Sequence, residues 1–385
     1  NRLTIPEGLP PMAAGLFGVF GYDMVRLVEP LGAANPDPLN LPDAVLARPS
    51  VVAVFDSLHQ EISLCAPVWP DARDPETAWA EATARLDRVE AGLAAPAPAR
   101  SRAEPAPLGF ETLTDRAGYV AMVDKAKDYI AAGDIFQVVP SRRSSAAFPL
   151  SSFAFYRSLR RLNPSPFLFH LDFGDFQIAG SSPEILVRLR DGKATIRPLA
   201  GTRRRGATPE EDAALERELL ADPKERAEHL MLLDLGRNDV GRVAKPASVR
   251  VTESFVVERY SHVMHIVSNV EGEVDPALDP VDVLLAALPA GTLSGAPKVR
   301  AMEIIDELEP VKRGVGYAGG VGYLSSGGAL DVCIVLRTAL FKDGRIVVQA
   351  GAGVVADSDA DAEFDETDHK ARALIRAAEE AWRFA

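Results

Sequence analysis

The sequence predicts an α+β protein rather than a doubly wound one, on three observations. Two Asp-Gly pairs, Asp191-Gly192 and Asp343-Gly344, each separate β-rich runs, which is the signature of two-residue hairpins and so of antiparallel sheet. Between them lies a helical section that includes ADPKERAEHLMLLDLG and APKVRAMEIIDELE. Antiparallel strands mixed with helices in this way belong to the α+β class. With 385 residues, 47% of them apolar, the chain has enough material for a substantial core in one large or two ordinary domains.

Residues 1 to 93 carry apolar, strand-like runs, GLFGVFGYDMV and VVAVFDSLHQEISLCAPV, before a helix that starts at Asp74-Pro75. Asp as N-cap with Pro at the first helical position is a good start signal, and Trp79, Leu86, Val89 and Leu93 supply an apolar stripe. AAPAPARSRAEPAP (94 to 107) reads as a linker, because alternating Pro and Ala continue no helix and bury nothing. The division is therefore a remainder of an N-terminal subdomain with its linker over 1–107 and a main domain over 108–385. Tyr119, Met122, Val123, Ala126 and Ile130 mark an amphipathic helix that Gly133 ends.

Charge and cysteine content narrow the function classes. Forty-two basic against 55 acidic residues give a net charge of −13, which argues against binding nucleic acid or an anionic membrane, and the run Arg203, Arg204, Arg205 does not alter that. Cys65 and Cys333 provide neither a disulfide framework nor a zinc set, so a reducing cytoplasm is the expected home. The sequence has no signal peptide or membrane span. It begins at Asn1 inside what reads as an ongoing domain, so a missing N-terminal segment is expected.

The densest charge lies at Asp357 to Asp368, DSDADAEFDETD, with seven carboxylates in twelve residues. Asp357, Asp359 and Asp361 match the first, third and fifth ligands of an EF-hand, but Ala362 stands where the sharp turn needs Gly and Asp368 where a bidentate Glu belongs. A Ca2+-binding module is the non-enzymatic alternative. The segment ETDHKARALIRAAEEAW that follows has the stripe Leu374, Ile375, Ala378 and Trp382, so the acids lie at a helix N-terminus, where the dipole favours each by about 0.3–1 kcal/mol. Glu363, Glu366 and Lys370 fall at i, i+3 and i+7 on one face, able to present two oxygens and a cation to a ligand.

A second acidic element is ADPKERAEHLMLLDL. Asp222 is an N-cap, Pro223 takes the first helical position, and Glu225 fits either a capping interaction or a ligand role; Glu228 lies one turn beyond it on the same face. Two helix starts presenting glutamates would suit a hard cation such as Mg2+, which keeps water ligands and bridges to anionic substrates. In the strand DVCIVLRTALF, Arg337 needs an anionic partner if buried, either an internal carboxylate or a ligand's, and the small residues Gly351, Ala352 and Gly353 offer amides that an anion can approach.

Three cheaper motifs fail. GVGYAG (314 to 319) fits GxGxxG but follows a helix and precedes a strand, the reverse of a dinucleotide site. GTLSGAPK lacks the Walker A spacing, and His262 and His265 form no zinc pattern, leaving His265 as an acid or base.

RPLAGTRRRG (197 to 206), ERAEHLMLLDLGRNDVGRV (225 to 243), YSHVMHIVSNVEG (260 to 272), PAGTLSGAPKVRAMEIIDELEP (289 to 310) and VQAGAGVVADSDADAEFDET (348 to 367) closely resemble the large subunits of anthranilate synthases, in the chorismate-utilising family. The resemblance implies two antiparallel sheets packed as a sandwich with helices on the outer faces. It implies a Mg2+-dependent reaction of chorismate with ammonia, through aminodeoxyisochorismate to anthranilate and pyruvate, the first step of tryptophan biosynthesis. Glu228 and Glu366 match metal ligands, with Glu225 and Glu363 as direct or water-mediated supports. Glu184 matches the general acid for loss of the C4 hydroxyl, and His265 the histidine of pyruvate elimination. Gly201, Thr202 and Thr292 match substrate contacts, Thr292 within the catalytic set. Tyr317, Arg337 and the amides of Gly351 to Gly353 match the enolpyruvyl-carboxylate pocket, which Lys370 completes.

Ala200 separates relatives. Aminodeoxychorismate synthases of one common type have Lys there, so RPLAGT favours anthranilate over the p-aminobenzoate branch, which is the enzymatic alternative. NPSPFL (163 to 168) resembles one half of the family's tryptophan feedback site, with Pro166, Phe167 and Leu168 as contacts, while the LLES segment of the other half is not in the sequence. The sequence holds no glutamine amidotransferase domain, so the resemblance implies a separate glutaminase subunit that delivers ammonia.

Overall fold

The structure, a computed structural model, describes residues 3–70, 74–96, 107–260 and 263–385. Among these, nine strands form one antiparallel sheet. Its order runs Leu199–Arg204, Val263–Glu273, Lys193–Ile196, Ile185–Arg190, Leu330–Ile334, Gly320–Ser325, Gly15–Phe20, Ala44–Ala47, with Arg250–Arg259 also on Val263–Glu273. A second antiparallel sheet runs Glu111–Thr112, Ser141–Ala147, Arg345–Gly351, Thr338–Lys342, Phe176–Ser182, Phe167–Asp172. The sheets pack face to face: Val19, Val321 and Cys333 of the first meet Phe176, Ile178 and Leu340 of the second.

Alternation along the strands serves both layers. Cys333 points between the sheets while its neighbour Val332 joins Val283, Leu284 and Met302 of the helices Pro280–Ala287 and Lys298–Leu308 outside. On the second sheet Phe341 and Ile346 are covered by Phe155, Leu159, Leu374 and Ala378 of the helices Ser152–Leu162 and Ala360–Glu380. This is the expected α+β sandwich. Both Asp-Gly hairpins are present, with φ of 51° and 74° at Asp191-Gly192 and 50° and 70° at Asp343-Gly344, the paired positive φ that a two-residue turn requires.

Three local expectations need correction. The run DVCIVLRTALF is not one strand: Leu330–Ile334 belongs to the first sheet and Thr338–Lys342 to the second, and Val335 to Arg337 carry the chain across. The helix Pro75–Ala94 is capped by Asp74 as expected, with Thr77 N donating at 2.9 Å, but Trp79 and Leu93 are 73% and 50% exposed and the buried contacts come from Ala78 and Ala82. Third, the C-terminal helix starts inside the acidic run. Asp359 caps Ala360–Glu380 by accepting from Ala362 N at 2.9 Å, so five of the seven acids are helical and no EF-hand loop exists there.

Residues 97 to 106 of the expected linker lie outside the described residues, as does His262. The strand Gly15–Phe20, ahead of that linker, pairs in register with Gly320–Ser325. No helix among the described residues is long and apolar enough to cross a membrane.

Candidate active site

The chain crosses between the sheets twice side by side, and each crossover carries a predicted charge. Phe176–Ser182 hands over to Ile185–Arg190 through Pro183 and Glu184, while the return passes through Arg337, whose φ is +46°. The crossovers are laced together, with Ile334 N donating to Glu184 O at 3.0 Å and Ser181 N to Arg337 O at 3.2 Å. Glu184 is buried and Arg337 partly so. Burial pushes the Glu184 carboxyl up to about 8, although the hydroxyl of Thr292, which donates to its Oε1 at 3.2 Å, and the charge of Arg337 pull the other way. Burial likewise lowers Arg337, opposed by Glu184, and the guanidinium has no ion pair within salt-bridge distance among the described residues.

Arg337 opens into a cavity of about 100 Å³ lined by Leu293, Tyr317, Leu336, Gln349, Gly351 and Lys370 among others. Four residues chosen from sequence thus share one wall. Tyr317 is buried with its hydroxyl against the Gly351 backbone. A Cβ at Gly351 would stand 2.6 Å from Pro140 O and 2.8 Å from that hydroxyl, so only glycine lets the three meet. Lys370 Nζ donates to Gly351 O at 3.0 Å and lies 2.7 Å from Glu366. The three expected amides are not equally free. Ala352 N already donates to Pro140 O at 3.3 Å, and Gly353 lies beside Gln137 rather than on the cavity wall.

His265 is placed by a β-bulge. Pairing between Leu199–Arg204 and Val263–Glu273 slips at Gly201, whose φ of +69° turns its carbonyl toward the imidazole. Nδ1 lies 3.0 Å from Gly201 O and 3.0 Å from the Thr202 hydroxyl. A carbonyl only accepts, so Nδ1 carries the proton and Nε2 keeps its lone pair. Burial and the charge of Arg337 lower the His265 pKa, which favours the neutral ring, and Tyr260 packs on it edge-on at 5.6 Å.

Glu225 and Glu228 project from the first turns of Pro223–Gly241, which Asp222 caps by accepting from Lys224 N and Glu225 N. Glu225 is not a capping side chain: its Oε1 accepts from Arg203 Nη1 at 2.8 Å. Burial, then the charges of Glu225 and Glu366, raise the Glu228 pKa, while Lys370 opposes them. Glu363 is raised by burial and by Glu366, against a hydrogen bond from Ser358 and the charge of Lys370. The charges of Glu366 and Lys370 thus act on Glu228 from the other helix start. Among the described residues no three acidic, His or Cys side chains converge with the geometry of a metal site.

The family model described as "chorismate binding enzyme" matches residues 2–376. An anthranilate synthase component 1 of Cereibacter sphaeroides is 61% identical over all of this chain and 77% of its own length. The chain belongs to the anthranilate synthase component 1 family of chorismate-binding enzymes. The crystal structure of anthranilate synthase component I from Streptococcus pneumoniae superposes with a TM-score of 0.89 at 43% identity, covering 98% of this chain and 83% of that one. A menaquinone-specific isochorismate synthase from Escherichia coli shares the fold at a TM-score of 0.78 and 24% identity, over 96% of this chain and 80% of its own.

Within this chorismate-binding enzyme several site residues escape sequence reasoning. Leu293, Leu336, Gln349 and Leu374 line the cavity, and of these only Gln349, a polar residue inside the buried run IVVQAG, carries a signal. The arginine run is an internal device: Arg203 pairs with Glu218, Asp222 and Glu225, Arg204 with Glu211 and Arg205 with Asp212. Pro166, Phe167 and Leu168 enter the edge strand Phe167–Asp172, where Phe167 and Leu168 pair with Ser182 and Ser181; none of them lines the cavity. Grooves of about 440 and 670 Å³ lie elsewhere, against Arg143 and Lys342 and against Ile5 and Gly327, and gather none of the predicted residues.

Proposed function

We propose that this cavity binds chorismate and that the chain catalyses the anthranilate synthase reaction with ammonia as nucleophile. The observation that carries the reading is the placement of Glu184, buried and hydrogen-bonded by Thr292, on a crossover laced by backbone hydrogen bonds to that of the half-buried Arg337, which has no carboxylate within salt-bridge distance among the described residues. Arg337 would take the enolpyruvyl carboxylate as its counter-ion, with Tyr317 and Lys370 beside it. Glu184, neutral near pH 7, holds the proton needed as the C4 hydroxyl leaves and ammonia adds at C2. The bare Nε2 of neutral His265 is suited to move a proton in the elimination of pyruvate.

The chemistry of the carboxylates, though not a preformed cluster of three among the described residues, would suit a hard divalent cation: burial and neighbouring acids raise Glu228 and Glu363, and Lys370 opposes them. Glu228 and Glu366 would hold Mg2+, with Glu225 and Glu363 in support; two protein ligands leave room for water and substrate. When bound, the ion would supply positive charge for the substrate's ring carboxylate. Arg203 already neutralises part of Glu225, which favours a supporting rather than a direct role for it.

Ammonia would come from a glutamine amidotransferase subunit, and two free cysteines suit a reducing cytoplasm. Tryptophan as feedback inhibitor is carried only by the NPSPFL likeness. Ala200 and the names of the relatives disfavour the p-aminobenzoate branch. The test is to incubate the protein with chorismate, ammonium and Mg2+ and follow anthranilate fluorescence. Anthranilate with equimolar pyruvate is expected, and an aminodeoxychorismate product would overturn the reading.

A further inference from the structure

We propose that the buried pair Glu309–Arg313, which touches no reacting atom, is a positioning unit that sets three walls of the Arg337 cavity. The two side chains are 3% and 1% exposed, and Arg313 Nε lies 3.0 Å from Glu309 Oε2. Arg313 reaches in three further directions. Its Nη1 donates to Leu293 O at 2.7 Å, its Nη2 to Val139 O at 2.6 Å, and its guanidinium lies 5.2 Å from the Tyr317 ring centre. Glu309 Oε1 accepts from both N and Oγ of Ser141, at 2.8 and 2.7 Å, and Ser141 Oγ in turn accepts from Gln349 Nε2 at 2.8 Å.

Leu293, Tyr317 and Gln349 all line the cavity, and they come from three separate stretches of chain. Leu293 also follows Thr292, the hydroxyl bonded to Glu184, so the same guanidinium fixes the short helix that carries the acid's partner. A buried ion pair adds little net stability over apolar residues of equal volume. Here its use is directional. Only a planar fork with several donors addresses two carbonyls, a carboxylate and a ring at once, and lysine does not.

This inference rests on reading the cavity as the substrate-carboxylate site, and the test separates the two. Chorismate kinetics at saturating ammonium, with thermal melts, would be compared for wild type, Arg313→Lys, the double variant Glu309→Leu/Arg313→Met, and Arg337→Lys. The double variant is expected to melt cooperatively while kcat/KM for chorismate falls about tenfold or more, mainly through KM. Arg313→Lys, which keeps the charge, is expected to fold and to raise KM about fivefold. A folded double variant with wild-type KM overturns the proposal; should it not fold, wild-type KM in Arg313→Lys does so. Raised KM in Arg337→Lys beside unchanged KM in Arg313→Lys rejects the positioning unit alone, whereas unchanged KM in Arg337→Lys rejects the cavity reading beneath it.

Discussion

Glu184 and Arg337 stand on two neighbouring crossovers between the sheets, joined through the backbone by Ile334 N to Glu184 O at 3.0 Å. A sandwich that exchanges strands must interrupt its ladder hydrogen bonding at these points, and the short irregular segments there turn side chains inward, Arg337 onto the cavity wall. The acid and the cation are therefore held by the same feature of the topology. Their relation also sets their chemistry, because each is desolvated and each only partly offsets the other.

The alkaline limit of catalysis follows from Glu184. With its carboxyl pushed up to about 8, kcat/KM is expected to fall above that pH as the acid form disappears. Stability follows the same proton: between the ordinary carboxyl value and about 8 the folded state holds a proton that the unfolded chain releases, so stability declines as pH rises through that window. Glu184→Gln is expected to lower turnover by roughly 10²–10⁴-fold and to gain in Tm over wild type as pH is raised toward 8. Pairing a pH–rate profile with melts at several pH values checks both, and identical melting trends in the two proteins would refute the assignment.

For Arg337, the backbone and the charge can be tested apart. Its φ of +46° lies where side chains are uncommon, so Arg337→Gly relaxes the backbone while deleting the guanidinium. That variant is expected to stay folded yet raise KM for chorismate by about 10–100-fold, with Arg337→Lys between it and wild type. A structural role alone would leave KM unchanged in any variant that folds.

Much of this is legible in the sequence, unevenly. Hairpins at Asp191-Gly192 and Asp343-Gly344 are encoded locally, since few other residues accept two successive positive φ values. The N-caps Asp74 and Asp222 are also local, since a carboxylate just before Pro accepts from the free amides of the first turn. The break in DVCIVLRTALF is not, because a run of buried apolar residues reads the same whether it continues in one sheet or changes sheets at Val335. Likewise Glu225 looks like a capping residue until Arg203, distant in sequence, is brought beside it. Roles for the site residues come from family likeness; residue spacing alone offers glutamates on helix faces, an isolated arginine and an unassigned histidine.

The two facing helix starts make a graded expectation for the metal. Glu228→Gln and Glu366→Gln should each weaken the Mg2+ dependence of turnover, by about 10–100-fold in apparent affinity. Asp359→Asn should leave it unchanged, because Asp359 only caps the helix through Ala362 N and asparagine caps equally well. Titrating activity against Mg2+ in the three variants checks this. Small and equal effects would leave these glutamates as nothing more than helix-start residues.

Lys298 and Asp239 form a second buried pair, with Nζ at 2.7 and 2.8 Å from the two carboxylate oxygens. Burial raises the Asp239 pKa against the attraction of Lys298, the desolvation cost that a buried ion pair carries. Asp239 borders the small recess that also contains Glu184 and Thr292, and the salt bridge links the helix Pro223–Gly241 to Lys298–Leu308 behind the acid. Asp239→Asn strands a buried ammonium and is expected to destabilise the fold by about 3–5 kcal/mol in urea unfolding. Removing both charges, as Asp239→Leu with Lys298→Met, should recover most of that loss. If the double variant is no more stable than Asp239→Asn, the stranded charge is not the cause, and shape at this helix crossing matters more than the pairing.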